Sequence, residues 1–175
     1  MTEKQEKILN AALKLFAEEG YRTTSTSKVA QEAGVSEGLI FRHFKNKEGL
    51  LEAIIQLGEE RAKIMFADIV LETDPKQIIK KTICMGEKNL NNQENTDFWK
   101  LQYKIKWELE QYGEHKMEPL ENALTAAFEK LEYANPKEEA QLLMITMDGL
   151  ATRLLLQKNF DLTSKQEFLI KKYNV

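Results

Sequence analysis

The sequence has one cysteine, Cys84, so no disulfide can form within the chain, and no Cys-x-x-Cys or Cys/His spacing marks a zinc site. That favours a reducing, cytoplasmic setting and gives no reason to expect a metal or other cofactor. Only two histidines are present, His43 and His115, and there is no glycine-rich phosphate loop, which leaves an enzyme little to work with. His115 follows Gly113 and Glu114 in an expected loop, and Glu108, Glu110 and Glu114 read as a wet helix end. No apolar run approaches the ~18 residues of a membrane span, and the N-terminus is charged from Glu3 onward, so the chain is expected to be soluble, with no membrane partner. Three prolines and eight glycines in 175 residues are too few for a turn-rich all-β protein. Abundant Lys, Glu, Leu and Ala point to an all-α fold of about nine helices.

A basic excess is also missing: the net charge is −3. Residues 1–50 nevertheless hold eight Lys/Arg against seven Asp/Glu, a balance of +1 that leaves −4 on the rest. Arg42, His43, Lys45 and Lys47 fall within six residues. Screening at physiological salt acts over about 8 Å, so a local basic patch can meet phosphate on an acidic protein.

Helix starts are legible as Ser/Thr/Asp/Asn residues followed by Glu or Gln three positions on. Thr2 with Gln5 opens the first helix, on which Ile8, Leu9, Ala12, Leu13 and Phe16 form one apolar stripe, and Gly20 ends it beneath Tyr21. Asp74-Pro75-Lys76-Gln77 and Asn135-Pro136-Lys137-Glu138 repeat the device, with proline at the first helical position. The run 91–96 lacks apolar residues and reads as a loop. Helices are expected near 3–19, 25–33, 37–44, 47–72, 75–90, 97–112, 118–133, 136–159 and 164–173. In 98–112, Trp99, Leu101, Tyr103, Ile105, Trp107 and Leu109 alternate as in a half-buried strand. Wound as a helix, Trp99, Tyr103 and Trp107 stack on one side while Phe98, Leu101, Ile105 and Tyr112 line the other. The Lys, Glu and Gln residues between them favour the helix.

Residues 25–44 have the parts of a helix-turn-helix. Ala30 and Ala33 permit close helix approach, Gly34 allows positive φ in the turn, Val35 plugs the core, Ser36 is placed to cap, and Ile40 and Phe44 anchor the second helix inward. The turn alone also suits a simple helical bundle. Together, Thr24-Ser25 through Val29-Ala30, Ala33-Gly34-Val35-Ser36, Gly38, Ile40, Arg42-His43-Phe44 through Lys47-Glu48 and Leu50-Leu51 resemble the N-terminal signature of the tetracycline-repressor (TetR) family of regulators. The resemblance covers about residues 5–53, without gaps.

It implies a non-enzymatic, all-helical homodimer. Residues 1–46 would be a three-helix unit binding double-stranded operator DNA, and 47–175 a larger helical domain for a small-molecule effector and the second subunit. The family usually has Tyr where this chain has Phe41, so one hydroxyl contact to phosphate is lost, and backbone contact would fall on His43 and Lys47. Bases are read from the N-terminal edge of the second helix, which nominates Ser36, Glu37, Leu39 and Arg42, with Gly38 allowing close approach. Ser25, Thr26 and Ser27, at the start of the preceding helix, are further candidates. Trp99, Tyr103 and Trp107 with Met85, Met144 and Met147 form either an apolar effector pocket or ordinary core. Leu143, Met147, Leu150 and Leu154, with Phe168 and Leu169, are the expected dimer seam. A repressor released by an apolar or amphipathic effector is the favoured function; an effector-independent helical DNA-binding or interaction protein is the alternative.

Overall fold

The computed structural model describes residues 1–89, 93–108 and 114–175, and among these it is all-helical. Nine helices follow in order: α1 (Glu3–Glu19), α2 (Thr26–Ala33), α3 (Glu37–Phe44), α4 (Lys47–Val70), α5 (Pro75–Asn89), α6 (Gln93–Glu108), α7 (Glu114–Lys130), α8 (Pro136–Leu156) and α9 (Leu162–Tyr173). They group into two compact units, one of residues 1–62 and 92–112, the other of 63–91 and 113–175.

The first unit begins with a reciprocal cap. The Gln5 N–H donates to Thr2 Oγ1 at 3.3 Å, and the Thr2 N–H donates to Gln5 Oε1 at 2.8 Å. Ile8, Ala12 and Phe16 then lie fully buried on one face of α1, against Val29, Ile40 and Leu50. Gly20 ends the helix with φ +99, ψ 151, a positive φ outside the left-handed helical region, and the Tyr21 ring closes edge-on to Phe16 at 5.3 Å. From α6, Leu101 and Ile105 complete this core with Phe98 partly buried beside them. A Cβ at Gly58 would lie 1.7 Å from the Phe98 ring, so the glycine on α4 makes room for an aromatic on α6.

In the second unit, Ile79 and Ile83 of α5 meet Leu124 and Phe128 of α7, Leu143 of α8 and Leu169 of α9. Phe128 stacks with Tyr133 at 5.0 Å and with Tyr173 at 5.5 Å. Gln166, almost fully buried on α9, donates from Nε2 to the Ile83 carbonyl at 2.8 Å and so ties α9 to α5.

Two expectations are corrected. Gln93–Thr96, read as loop, forms the first turn of α6, where free backbone N–H groups accommodate polar residues without an apolar partner. His115, expected in a loop, lies in the first turn of α7. Leu109, Glu110, Tyr112 and Gly113, along with 91 and 92 of the expected loop, lie outside the described residues. No helix among the described residues is long and apolar enough to cross a membrane.

Candidate nucleic-acid interface

Ser25 starts α2 with its side chain accepting from the Lys28 N–H at 3.2 Å. Nine residues later Gly34 adopts φ 66, ψ 36, a left-handed conformation available to glycine at little cost. The Val35 N–H reaches back to the Ala30 carbonyl at 3.0 Å, turning the chain sharply into α3. Ser36 occupies the N-cap of α3 but its side chain makes no cap hydrogen bond, contrary to the capping role expected. Ile40 and Phe44 face the core, while Gly38, Phe41 and Arg42 form the solvent edge. Leu39 is half-buried and packs against the core, so it offers less to a base edge than the sequence suggested.

The end of α3 is unusual. Lys45 has φ 68, ψ −50, and the Asn46 N–H bonds the Phe44 carbonyl at 2.8 Å, closing a tight three-residue turn. The Asn46 side chain accepts from the Gly49 N–H at 2.7 Å and caps α4. A Cβ at position 49 would sit 2.1 Å from the Phe44 carbonyl oxygen, so only glycine lets α4 begin this close to α3. Lys47 is thereby placed beside the helix-turn-helix. Its ammonium lies 4.5 Å from the centroid of the Tyr21 ring and donates to the Arg22 carbonyl at 3.3 Å. Burial, and then the Glu48 carboxylate to which its hydroxyl donates, push the Tyr21 phenol up to about 12. The Arg22 N–H in turn donates to Glu108 Oε2 of α6 at 3.0 Å.

Lys14 is paired with Glu32 at 2.8 Å and Lys28 with Glu19 at 2.6 Å. Arg42 and Lys45, both exposed, have no carboxylate partner among the described residues. Charge on this face is therefore available where α3 ends. His43 is half-buried with its ring edge-on to Phe44 at 6.2 Å, and Ser27 is exposed. Thr26 points across to α3, its hydroxyl donating to Glu37 Oε1 at 2.6 Å. Neither the Arg22 contacts nor Tyr21 as a seat for Lys47 is legible in the sequence, and Lys45 enters there only as part of the basic patch. The basic cluster 42–47 was the available signal for Lys45, whereas the ring–ammonium contact spans 26 positions and has no local signature.

The expected effector residues divide between the units. Trp99 and Tyr103 are half-buried on α6 in the first, and Trp107 is 85% exposed there. Met85, Met144 and Met147 pack against the core of the second. In the expected dimer seam, Leu143 is 0% exposed and Leu169 7%; both belong to their own unit's core and are closed to a partner, a correction to that stripe. Met147, Leu150 and Leu154 are half-buried and Phe168 is exposed.

Residues 8–54 match the profile described as bacterial regulatory proteins, tetR family. The N-terminal helices are similar to those of the tetR family. The match takes in α2, the Gly34 turn, α3 and the start of α4, the elements just described. Over 60 residues the chain is 48% identical to the HTH-type transcriptional regulator YvkB of Bacillus subtilis, a stretch covering 34% of this chain and 32% of that one. The chain thus spans about a third of the length of the curated relatives it matches. Solved structures of similar fold extend over nearly all of it. A crystal structure from Saccharomonospora viridis in complex with choline is 17% identical, with TM-score 0.80, covering 99% of this chain and 97% of the other. The transcriptional regulator FadR from Bacillus subtilis in complex with stearoyl-CoA is 22% identical, with TM-score 0.71, covering 95% of each. At these identities the likeness is one of fold.

Proposed function

We propose that this chain is a one-component transcriptional regulator that binds a palindromic DNA operator as a homodimer and leaves it when a small effector binds. The observation that carries the reading is the tetR-type helix-turn-helix itself: α3 presents an edge of Gly38, Phe41 and unpaired Arg42, and Gly49 and Asn46 bring Lys47 to its side. Arg42 reads a base, with a guanidinium fork that suits the two acceptors of guanine. Lys47, Lys45 and His43 face the phosphates, and Ser25, Ser27, Ser36 and Leu39 add contacts to the duplex.

Residues 1–46, with Lys47 at the start of α4, serve DNA, and the rest of 47–175 serves effector and partner. The dimer forms through the exposed stripe of α8, Leu142, Ile145 and Leu156, which are 50%, 69% and 80% exposed, together with Phe168 of α9 at 65%. These positions recur at three- and four-residue steps with Gly149 and Thr152 between them, a single face available for helix packing. Repression, rather than activation, is the simplest output of a protein that occupies DNA until displaced. The neighbours bound to choline and to stearoyl-CoA show how little this fold restricts effector chemistry. For this chain the methionines of the second unit, Met85, Met144 and Met147, favour an apolar or amphipathic compound.

The test is a pair of substitutions measured on one selected operator. Arg42→Ala relaxes preference at one base pair per half-site by about 1–3 kcal/mol. Lys47→Ala weakens all sequences alike and lowers the salt slope by about one. Identical behaviour of the two variants contradicts the division of roles.

A further inference from the structure

Glu37 is the one acidic side chain on α3, at its first helical position. A carboxylate beside DNA is repelled by phosphate, so its presence at the leading end of a recognition helix needs a compensating interaction. The helix N-terminus favours the charge, but Glu37 does not fold back to cap its own helix. Instead Oε1 accepts from the Thr26 hydroxyl on α2 at 2.6 Å, and both residues are half-buried. The pair fixes the carboxylate across the two helices of the motif. Oε2 takes no hydrogen bond from the described residues.

We propose that the Thr26–Glu37 pair is a specificity element that reads cytosine in the major groove. This rests on the DNA-binding reading above. The argument is one of donor and acceptor inventory. An ionised carboxylate only accepts, and Oε2 has both its lone pairs to offer. In the major groove guanine presents two acceptors, thymine an acceptor and a methyl group, and adenine a donor flanked by the N7 acceptor. Cytosine alone presents an amino donor with no acceptor on its own edge, so of the four bases it best suits a fixed carboxylate. Thr26 supplies the fixing. Its hydroxyl proton is engaged with Glu37, so Thr26 acts as a positioning residue and does not donate to phosphate. The N-terminal residues of a recognition helix are those that reach base edges, and Glu37 occupies that place.

Selection of the full-length chain and its variants on a randomised duplex library, with melting temperatures measured in parallel, tests the assignment. Wild-type protein enriches cytosine at one position of each half-site, by roughly tenfold over the other bases. Glu37→Gln keeps an oxygen for the Thr26 hydroxyl and turns an amide donor toward the base, so the preference at that position moves from cytosine to guanine, whose edge presents two acceptors. Thr26→Val flattens the preference there and leaves the Arg42 position and the salt slope unchanged. If the variants keep wild-type base preferences and only their melting temperatures change, the pair is a structural staple and the proposal is overturned. If wild-type protein enriches no sequence, the regulator reading fails, and this proposal with it.

Discussion

Lys45 carries the backbone strain of the interface. Its φ of 68 with ψ −50 is a conformation that a side chain opposes, at a cost of about 1–3 kcal/mol. Glycine adopts it freely but loses roughly 0.5–1 kcal/mol more backbone entropy on folding. Lys45→Gly is therefore expected to stabilise the protein by about 1 kcal/mol, seen as a higher urea midpoint at unchanged slope, while weakening DNA binding through the lost charge. Gly49 is the converse case. Its missing Cβ would sit 2.1 Å from the Phe44 carbonyl oxygen, a backbone atom that cannot swing aside, so Gly49→Ala forces α4 away from α3. That variant is expected to lose about 1–3 kcal/mol of stability and, with Lys47 displaced, to bind all duplexes more weakly. A Gly49→Ala protein with wild-type melting and wild-type affinity contradicts the placement.

At the scale of elements, α8 has two faces with different fates, which a pair of substitutions separates. Leu143 fills the second unit's core, so Leu143→Ala is expected to cost about 2–5 kcal/mol of stability while leaving the association state of the folded protein alone. Ile145 is 69% exposed, so Ile145→Glu leaves the fold intact and, in sedimentation, converts dimer to monomer by placing charge in the apolar seam. A folded Ile145→Glu dimer places the interface elsewhere. The same helix shows how far the sequence is legible. Its start at Pro136 follows from the proline at the first helical position, although the Asn135 side chain makes no cap hydrogen bond there, and the Thr2 cap of α1 and the Gly34 turn follow likewise, because caps and turns act over three or four residues. Which apolar stripe faces inward does not. Leu143, Met147, Leu150 and Leu154 and the stripe from Leu142 to Leu156 both have helical period, and only packing against α5 and α7 decides between them. The site divides likewise. The α3 edge follows from helical period and turn chemistry, whereas the Thr26–Glu37 bond and the Tyr21 seat of Lys47 depend on side chains that only the fold brings together.

At the scale of the whole molecule, the two units share an alkaline weakness. Tyr21 in the first and Tyr173 in the second are both pushed up to about 12, chiefly by burial and then by Glu48 and Glu139 respectively. An unfolded tyrosine titrates near 10, so between about pH 10 and 12 the unfolded chain has released protons that the folded chain retains. Stability from these phenols is complete below pH 10 and falls as pH rises through 12. Tyr21→Phe is expected to reduce that alkaline loss, measured as the slope of melting temperature against pH, and an unchanged slope counts against the burial argument. The net charge of −3 acts at the same scale, since it discourages loose association with DNA and leaves binding to the local basic face of α3 and α4. In the proposed regulator two such faces, joined by the dimer, grip one operator. This joint grip is tested most directly by inserting about five base pairs at the dyad of a selected palindrome and measuring affinity at constant salt, because half a helical turn puts the second half-site on the far side of the duplex. Affinity is expected to fall to the level of random DNA, a loss of roughly 10³-fold or more; affinity unchanged by the insertion means that the two faces do not grip one operator together.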